Sequence, residues 1–170
     1  MPAPRDFRRS SFSQLRVERC GKYIGRYTYW KLYEIENTLR VFIHSVLSVQ
    51  INSNWWSAAA DRKLQEKATR VRADYARRPW HTPAGPHDIY HVFLPDISKI
   101  IRTHNHLFDR VVPDIDKWVV RIDDIRLPRN LVGHMNFLSL SDRQRIDALH
   151  RDIGVLITQI QAYGLSVRIP

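Results

Sequence analysis

The sequence predicts an all-α fold, arranged as a bundle of four to five helices. Apolar residues recur at spacings of three and four along several long segments, which is the pattern of helices that bury one face. No segment sustains the alternation of apolar and polar residues that marks a strand. Clusters of proline, glycine, serine and asparagine separate the periodic segments, as expected of connections in a bundle.

Two helices are predicted in the first half of the chain. The first begins at Tyr29 and carries one apolar stripe made of Leu32, Ile35, Leu39, Phe42, Val46 and Val49. The second is amphipathic, with charged outer faces and apolar positions at Ala60, Leu64, Ala68, Val71 and Tyr75. The segment "RRPWHTPAGPHD" follows and packs three prolines and a glycine together, so we expect a long exposed loop there.

Three further helices are predicted in the second half. One begins near Pro95, with an apolar face formed by Ile97, Ile100, Ile101, His104 and Phe108. The next has Pro113 in its first turn and ends at Pro128, and its stripe is Ile115, Trp118, Val119, Ile122 and Ile125. Ser141 caps the last long helix, whose stripe is Ile146, Leu149, Ile153, Leu156, Ile160 and Tyr163.

We expect one domain with an N-terminal extension. A chain of 170 residues with 44% hydrophobic content can form a single core. Residues 1–26 are rich in arginine and serine, which predicts a basic flexible arm or a loosely docked extension in which we place no element, and the helical bundle is expected over residues 27–170. Cys20 is the only cysteine, which excludes an internal disulfide and a zinc site built on paired cysteines.

The charge balance favours a polyanionic partner. Lys and Arg number 27 against 17 Asp and Glu, a formal net charge of +10, and arginine suits bidentate phosphate binding. A basic but otherwise ordinary surface is the alternative. The apolar runs are far shorter than the roughly 20 residues of a membrane-spanning helix, and no apolar block of a secretory signal follows the N-terminus. We therefore expect a cytoplasmic protein and no membrane partner.

The segment "RLPRNLVGHMN", residues 126–136, is the most informative stretch. It places Arg129 and Asn130 at one end and Gly133 and His134 at the other, with apolar residues between them. A break of the helix at Gly133 would swing His134 back towards Arg129. The alternative is a connector between helices, in which Arg129 caps carbonyl groups and His134 is merely exposed.

The spacing of the arginine and the histidine is weak support by itself. Arg145 and His150 show the same five-residue separation. That second pair lies within an unbroken predicted helix, where five residues correspond to roughly 140° of rotation and the side chains diverge. The break predicted at Gly133 is what distinguishes the pair of Arg129 and His134.

The motif "RNLVGH" resembles the signature of the HEPN superfamily, in which a polar residue follows an arginine and a histidine comes four to six residues after that arginine. Arg129, Asn130 and His134 occupy those positions. The motif lies between the penultimate and last long helices, as it does in that superfamily. The resemblance in layout covers about residues 28–163 and implies a HEPN-like bundle with a short motif-bearing helix before the last long helix.

The resemblance implies a metal-independent endoribonuclease of the kind found in toxins and antiviral defence effectors. The alternative is a non-catalytic module, because some members only bind RNA or protein partners. The segment "EIENTLR", with Glu36 and Arg40, is similar to an acidic and basic helix of abortive-infection members. We assign Glu36, Arg40 and Arg126 to RNA binding. Asn136 stands where toxins silenced by adenylylation carry tyrosine, which argues against control by that route.

The residue types of the motif suit RNA cleavage without a cofactor or a metal ion. RNA supplies its own nucleophile, the 2′-OH, and histidine exchanges protons near neutral pH, so we assign His134 as general base or acid. Arg129 would bind the phosphate oxygens as charge develops. Asn130 would orient the histidine or hold a phosphate oxygen. DNA lacks the 2′-OH and should resist cleavage.

One arginine and one histidine make a sparse active site for a monomer. In the superfamily two protomers pair so that their motifs face a shared cleft, and the resemblance therefore implies a homodimer with a composite active site. The partners we expect are RNA, a second copy of the chain and, for a toxin, an antitoxin or sensor protein.

Other candidate sites are weaker. Imidazole-only metal sites of loose spacing are rare, so we expect none among His81, His87, His91, His104 and His106. His104 falls on an apolar stripe and is predicted to be a core histidine. Trp55 and Trp56 are expected to pack in the core or an interface, whereas Trp80, in the proline-rich loop beside Arg77 and Arg78, is a candidate for stacking on a base.

Overall fold

The computed structural model describes residues 4–9, 11 and 13–170, and confirms the predicted all-α fold, because each regular element in those residues is helical. The α-helices are α1 (Gln14–Ile24), α2 (Trp30–Gln50), α3 (Trp55–Ala59), α4 (Arg62–Ala76), α5 (Leu94–Thr103), α6 (Asn105–Phe108), α7 (Ile115–Asp124), α8 (Arg126–Gly133) and α9 (Leu140–Ala162). None of these helices is both long and apolar enough to cross a membrane. Short 3-10 helices lie at Phe7–Arg9 and Asp88–His91.

Helix α2 lies at the centre of the bundle. It packs against α9, α5 and α6, and its buried stripe includes Leu32, Ile35, Leu39, Phe42 and Val46. On α9 the predicted stripe is buried from Ile146 to Ile160. Val49 and Tyr163, each at the end of a predicted stripe, are about half exposed. The core therefore follows the apolar periodicity of the sequence except at the last turns of these helices.

The N-terminal region is more regular than the sequence predicted. Within residues 1–26, where no element is predicted, Gln14–Ile24 forms α1 and joins α2 through a π-helical segment, Gly25–Tyr29. The expected boundary at residue 26 falls inside that segment. The amphipathic signal was weak because α1 buries Cys20 alone. Residues 1–3, 10 and 12 of the predicted arm lie outside the described residues.

Several predicted helix ends are wrong. Pro113 is not in the first turn of the fourth predicted helix, because α7 begins at Ile115 and its N-cap is Asp114. The fourth predicted helix does not reach Pro128, because α7 ends at Asp124 and α8 begins two residues later. Pro128 then occupies the first turn of α8, where a missing N–H breaks no intrahelical hydrogen bond. The cap of α9 is Ser139 and not Ser141, since the hydroxyl of Ser139 accepts a 3.1 Å hydrogen bond from the Asp142 amide.

The proline-rich connection is exposed only in its first half. Arg77 and Trp80 are exposed, as predicted, but Asp88–His91 forms a 3-10 helix that packs against α4. Ile89 and His91 are buried there. The second half of this connection therefore belongs to the core.

Candidate active site

The predicted motif lies on α8, which is the short helix expected before the last long helix. Gly133 is the last helical residue, and His134 is the C-cap, with φ −93° and ψ 20°. The chain turns one residue later, at Met135, whose φ is 57°. Helix α8 therefore ends at Gly133, as predicted, but the turn follows His134 instead of preceding it. The expected swing of His134 towards Arg129 is absent, because about 140° of helical rotation separates the two residues.

The hydrogen bonds that end α8 explain why the turn comes at Met135. The Met135 amide donates to the Val132 carbonyl at 2.9 Å, and the Asn136 amide donates to the Leu131 carbonyl at 2.8 Å. These two bonds form a Schellman cap, which needs a left-handed residue directly after the C-cap. Glycine usually fills that position, but here the left-handed residue is an exposed methionine.

Arg129 reaches from α8 to the central helix α2. Its Nε donates to Oε1 of Glu36 at 2.5 Å, and its guanidinium carbon lies 5.8 Å from the centre of the Phe93 ring. The arginine side chain remains 26% exposed. A Cβ on Gly133 would lie 3.3 Å from Nη1 of Arg129, so the glycine provides space for the guanidinium group.

Glu36 is a buried carboxylate held between two arginines. Its Oε2 accepts from Nη2 of Arg40 at 3.2 Å, while Oε1 accepts from Arg129. Arg40 also donates to the backbone carbonyls of Ile89 and Val92, at 3.3 Å and 3.2 Å. Arg40 therefore ties α2 to the 3-10 helix, and Glu36 positions Arg129.

The other residues assigned from the sequence lie around this ion pair without converging on one point. His134 is exposed, Asn130 is half-buried and Arg126 is exposed in the first turn of α8. The backbone carbonyl of Asn130 accepts from the His134 amide at 2.9 Å. The structure thus brings Arg129, Glu36 and Arg40 together, and leaves His134 on another face of α8.

A groove of about 950 Å³ opens beside Arg129. One wall is formed by successive turns of α1, the π-helical segment and α2, through Val17, Gly21, Gly25, Tyr29, Tyr33 and Asn37. Val132, Gly133, Met135 and Phe137, from α8 and the residues after it, contribute to the opposite side. Glu36, Arg40 and Arg129 also line the groove. Gly133 and Met135 flank His134 in the sequence, but His134 itself is not part of the lining.

Sequence reasoning missed the wall contributed by residues 17–37. The signal that could have found it is a row of positions four residues apart, at which Val17 and two glycines precede Tyr29 and Tyr33. Positions four apart share one face of a helix. Exposed aromatic residues on a face with glycines indicate an open surface that side chains do not fill.

His87, in the proline-rich region, packs against Trp55 and Trp56. His87 stacks on Trp55 at 5.1 Å between ring centres and lies 5.0 Å from the His44 ring. Trp55 and Trp56 are buried, which confirms their predicted place in the core. No three histidine, cysteine or acidic side chains are grouped to hold a metal ion within the part of the chain that the structure describes.

His104 is half-buried at the end of α5. Its Nε2 lies 2.9 Å from the carbonyl oxygen of Ala59. The side chain therefore links the last residue of α3 to the end of α5, and it is only partly buried where a core histidine was predicted.

Three comparisons address the resemblance of the motif. Neither the models of known protein families, nor the curated proteins, nor the solved structures give a match to this chain. The interpretation of the site therefore depends on the motif and on the geometry around α8.

Proposed function

We propose that this protein is a metal-independent endoribonuclease that cleaves single-stranded RNA, and that it acts as a toxin or an antiviral defence effector. The observation that carries the proposal is the position of Arg129, which Glu36 holds at the edge of a groove in a chain of net charge +10. A guanidinium group fixed in this way can bind a phosphate without first losing side-chain freedom.

The proposed reaction is an internal transesterification. The 2′-oxygen attacks the neighbouring phosphorus, and the bond from phosphorus to the 5′-oxygen breaks. A general base takes the proton of the 2′-OH, and a general acid gives a proton to the departing 5′-oxygen. His134 is proposed for one of these transfers, Arg129 for the charge on the phosphate, and Asn130 for orientation. The products are a 2′,3′-cyclic phosphate and a 5′-hydroxyl.

A homodimer is part of this proposal. Within one chain, Arg129 faces the groove and His134 is exposed on another face of α8. A two-fold axis near α8 would place the histidine of one protomer beside the arginine of the other. The composite site then contains the groups that the reaction needs.

The second candidate is a non-catalytic module that binds RNA or a partner protein. The observation in its favour is the pairing of Arg129 with Glu36, since this bond neutralises the arginine and stabilises the contact between α8 and α2. In that case Arg129 is a structural residue and His134 a surface residue.

Cleavage in EDTA separates the two candidates. We expect the purified protein to cut a single-stranded oligoribonucleotide in EDTA, to leave 2′,3′-cyclic phosphate ends in mass spectra, and to spare the same sequence as DNA. A binding module would retain the RNA uncut. Cleavage that requires a divalent metal ion would contradict the proposed reaction.

The toxin or defence role has its own test in cells. We expect induced expression of the wild-type chain to arrest bacterial growth, and expression of His134→Ala at the same level to leave growth unaffected. Growth arrest by both chains would show that the toxicity does not depend on RNA cleavage.

If the wild type alone arrests growth, an antitoxin or sensor partner is sought as a protein that binds the chain and restores growth.

A further inference from the structure

The groove has one wall that the proposed chemistry does not use. Helix α1, the π-helical segment and α2 present a row of residues four apart, in which Gly21 and Gly25 precede Tyr29 and Tyr33. The tyrosine side chains are 59% and 64% exposed. Aromatic rings held in water on a rigid helix are available to stack on a flat ligand.

The two glycines keep the wall open next to these rings. A Cβ built on Gly21 or on Gly25 meets no atom within 4 Å. The space beside the tyrosines is therefore not filled by the protein itself. The π-helical geometry of Gly25–Tyr29 occurs in the same wall, and such segments are frequent at functional sites.

The charges around this wall match a polyanion. Arg16, Arg19, Lys22 and Arg26 are exposed on the same helical run, next to the groove but outside its lining, and Lys22 is paired with Glu18. Arg129 lines the groove itself. Proteins that bind single-stranded nucleic acid combine aromatic rings, on which the bases stack, with a basic surface that follows the phosphates. An apolar small molecule would not need these cations.

We propose that the face formed by Gly21, Gly25, Tyr29 and Tyr33 binds single-stranded RNA, with bases stacked on the tyrosines and phosphates held by the neighbouring basic residues. This inference rests on the proposed function in naming RNA as the ligand. The wall guides the strand along α1 and α2 towards Arg129. Double-stranded RNA is excluded because its paired bases are not free to stack on the rings.

The first test fills the groove at a glycine. Gly21→Leu adds a side chain where the structure has open space, and Gly154→Leu is the matched control, because Gly154 is also an exposed helical glycine with an open Cβ position. Both are made in His134→Ala, so that RNA is bound without being cut. Fluorescence anisotropy with a labelled single-stranded oligoribonucleotide should show at least about 10-fold weaker binding for Gly21→Leu and unchanged binding for Gly154→Leu.

The second test removes a ring. Tyr33→Ala should weaken binding of the same oligoribonucleotide by about 5- to 150-fold, the range for loss of one base stack. Tyr33→Phe keeps the ring and should recover most of the affinity, and Tyr163→Ala removes an exposed tyrosine away from the groove as a control. The RNA duplex should bind more weakly than the single strand to the parent protein.

Three results would overturn the inference. The first is an equal affinity of the Gly21→Leu and Gly154→Leu variants for the single-stranded oligoribonucleotide. The second is tighter binding of the RNA duplex than of the single strand to the parent protein. The third is loss of binding only because Gly21→Leu no longer self-associates in sedimentation, which would assign the groove to a second copy. RNA cleavage by the wild type with any of these results leaves the proposed function standing. Binding through the groove with no cleavage supports this inference and contradicts the proposed reaction.

Discussion

At the scale of single residues, Arg129 has two separable roles. It forms an ion pair with a buried carboxylate, and it lines the groove in which we propose that RNA binds. Loss of activity after replacing Arg129 is therefore open to two explanations, unless stability is measured on the same variant. His134 offers a simpler substitution because its side chain is exposed.

Replacing Arg129 should destabilise the fold. Arg129→Ala leaves Glu36 with Arg40 as its remaining partner, and a partly compensated buried charge should lower the free energy of unfolding by about 2 kcal/mol. Urea denaturation measures this loss. Arg129→Ala combined with Glu36→Gln removes the excess negative charge, and should recover part of the stability without restoring cleavage. A double variant less stable than the sum of the single effects would contradict this explanation.

The strained residue at the end of α8 gives a prediction of opposite sign. Met135 has a φ of 57° and is 84% exposed, so it bears the cost of a left-handed conformation with little packing in return. Met135→Gly should raise the free energy of unfolding by about 1 kcal/mol. Thermal denaturation would reveal the gain as a higher Tm, and an unchanged or lower Tm would mean that the methionine side chain stabilises the fold.

Gly133 shows where sequence reasoning stopped. The residue type indicated an unusual backbone, but the structure uses the missing side chain to make room for the Arg129 guanidinium. The sequence could identify the glycine and the arginine as linked. The sequence could not show whether Gly133 serves a bend of the backbone or a close approach of the Arg129 side chain. The capping hydrogen bonds of Met135 and Asn136, which set the position of the turn, depend on the three-dimensional path of the backbone.

At the scale of elements, the 3-10 helix Asp88–His91 is held by the packing of His87. Burial, and then the positive charge of His44, lower the pKa of His87 to about 4; Arg72 acts in the same direction and Asp88 opposes them. Nδ1 of His87 accepts from the Ile89 amide at 3.1 Å. The neutral ring is therefore the form that fits the folded protein.

Acid should loosen this element. The pKa of His87 is about 4 in the folded chain, against roughly 6.5 in an unfolded one. Between these two pH values the unfolded state therefore binds more protons than the folded state. The contribution of His87 to stability is complete above about pH 6.5 and is lost as the pH falls towards 4. His87→Asn does not titrate and keeps an acceptor for the Ile89 amide. Between pH 7 and 4.5 the urea midpoint should fall less for His87→Asn than for wild type or the exposed control His81→Asn, and parallel falls would contradict this assignment.

The elements that sequence predicted well are those whose burial is periodic. The stripes of α2 and α9 face the core over most of their length, so spacing alone identified them. Helix α1 was missed because Cys20 is its one buried residue, so that it has no periodic apolar stripe. The end of α7 and the start of α9 depend on capping residues. The sequence contains more than one proline or serine that could mark each of these positions.

At the scale of the whole molecule, the proposed reaction needs two copies of the chain. We expect sedimentation equilibrium to give a dimer, and His134→Ala to dimerise as the wild type does, because the substitution removes a catalytic group and no core contact. A monomer that cleaves RNA at full rate over a wide range of protein concentrations would contradict a composite site.

The all-α architecture followed from composition and periodicity, whereas the relation of Arg129 to His134 depended on one turn of backbone. Net charge could be read from the sequence as well, and it favours a polyanion without indicating which surface binds it. The groove could not be predicted, since it lies between α1, α2 and residues about 100 positions later in the chain. Such surfaces arise from packing rather than from local pattern.

The most direct measurement compares two histidine variants in RNA cleavage with EDTA present. His134→Ala should lose at least about 100-fold of the wild-type rate, in the range of a lost general acid or base, with an unchanged Tm. His106→Ala, at another exposed histidine, should cleave at the wild-type rate with the same Tm. Equal cleavage rates for the two variants would contradict a catalytic role for His134, and with it the proposed ribonuclease reaction.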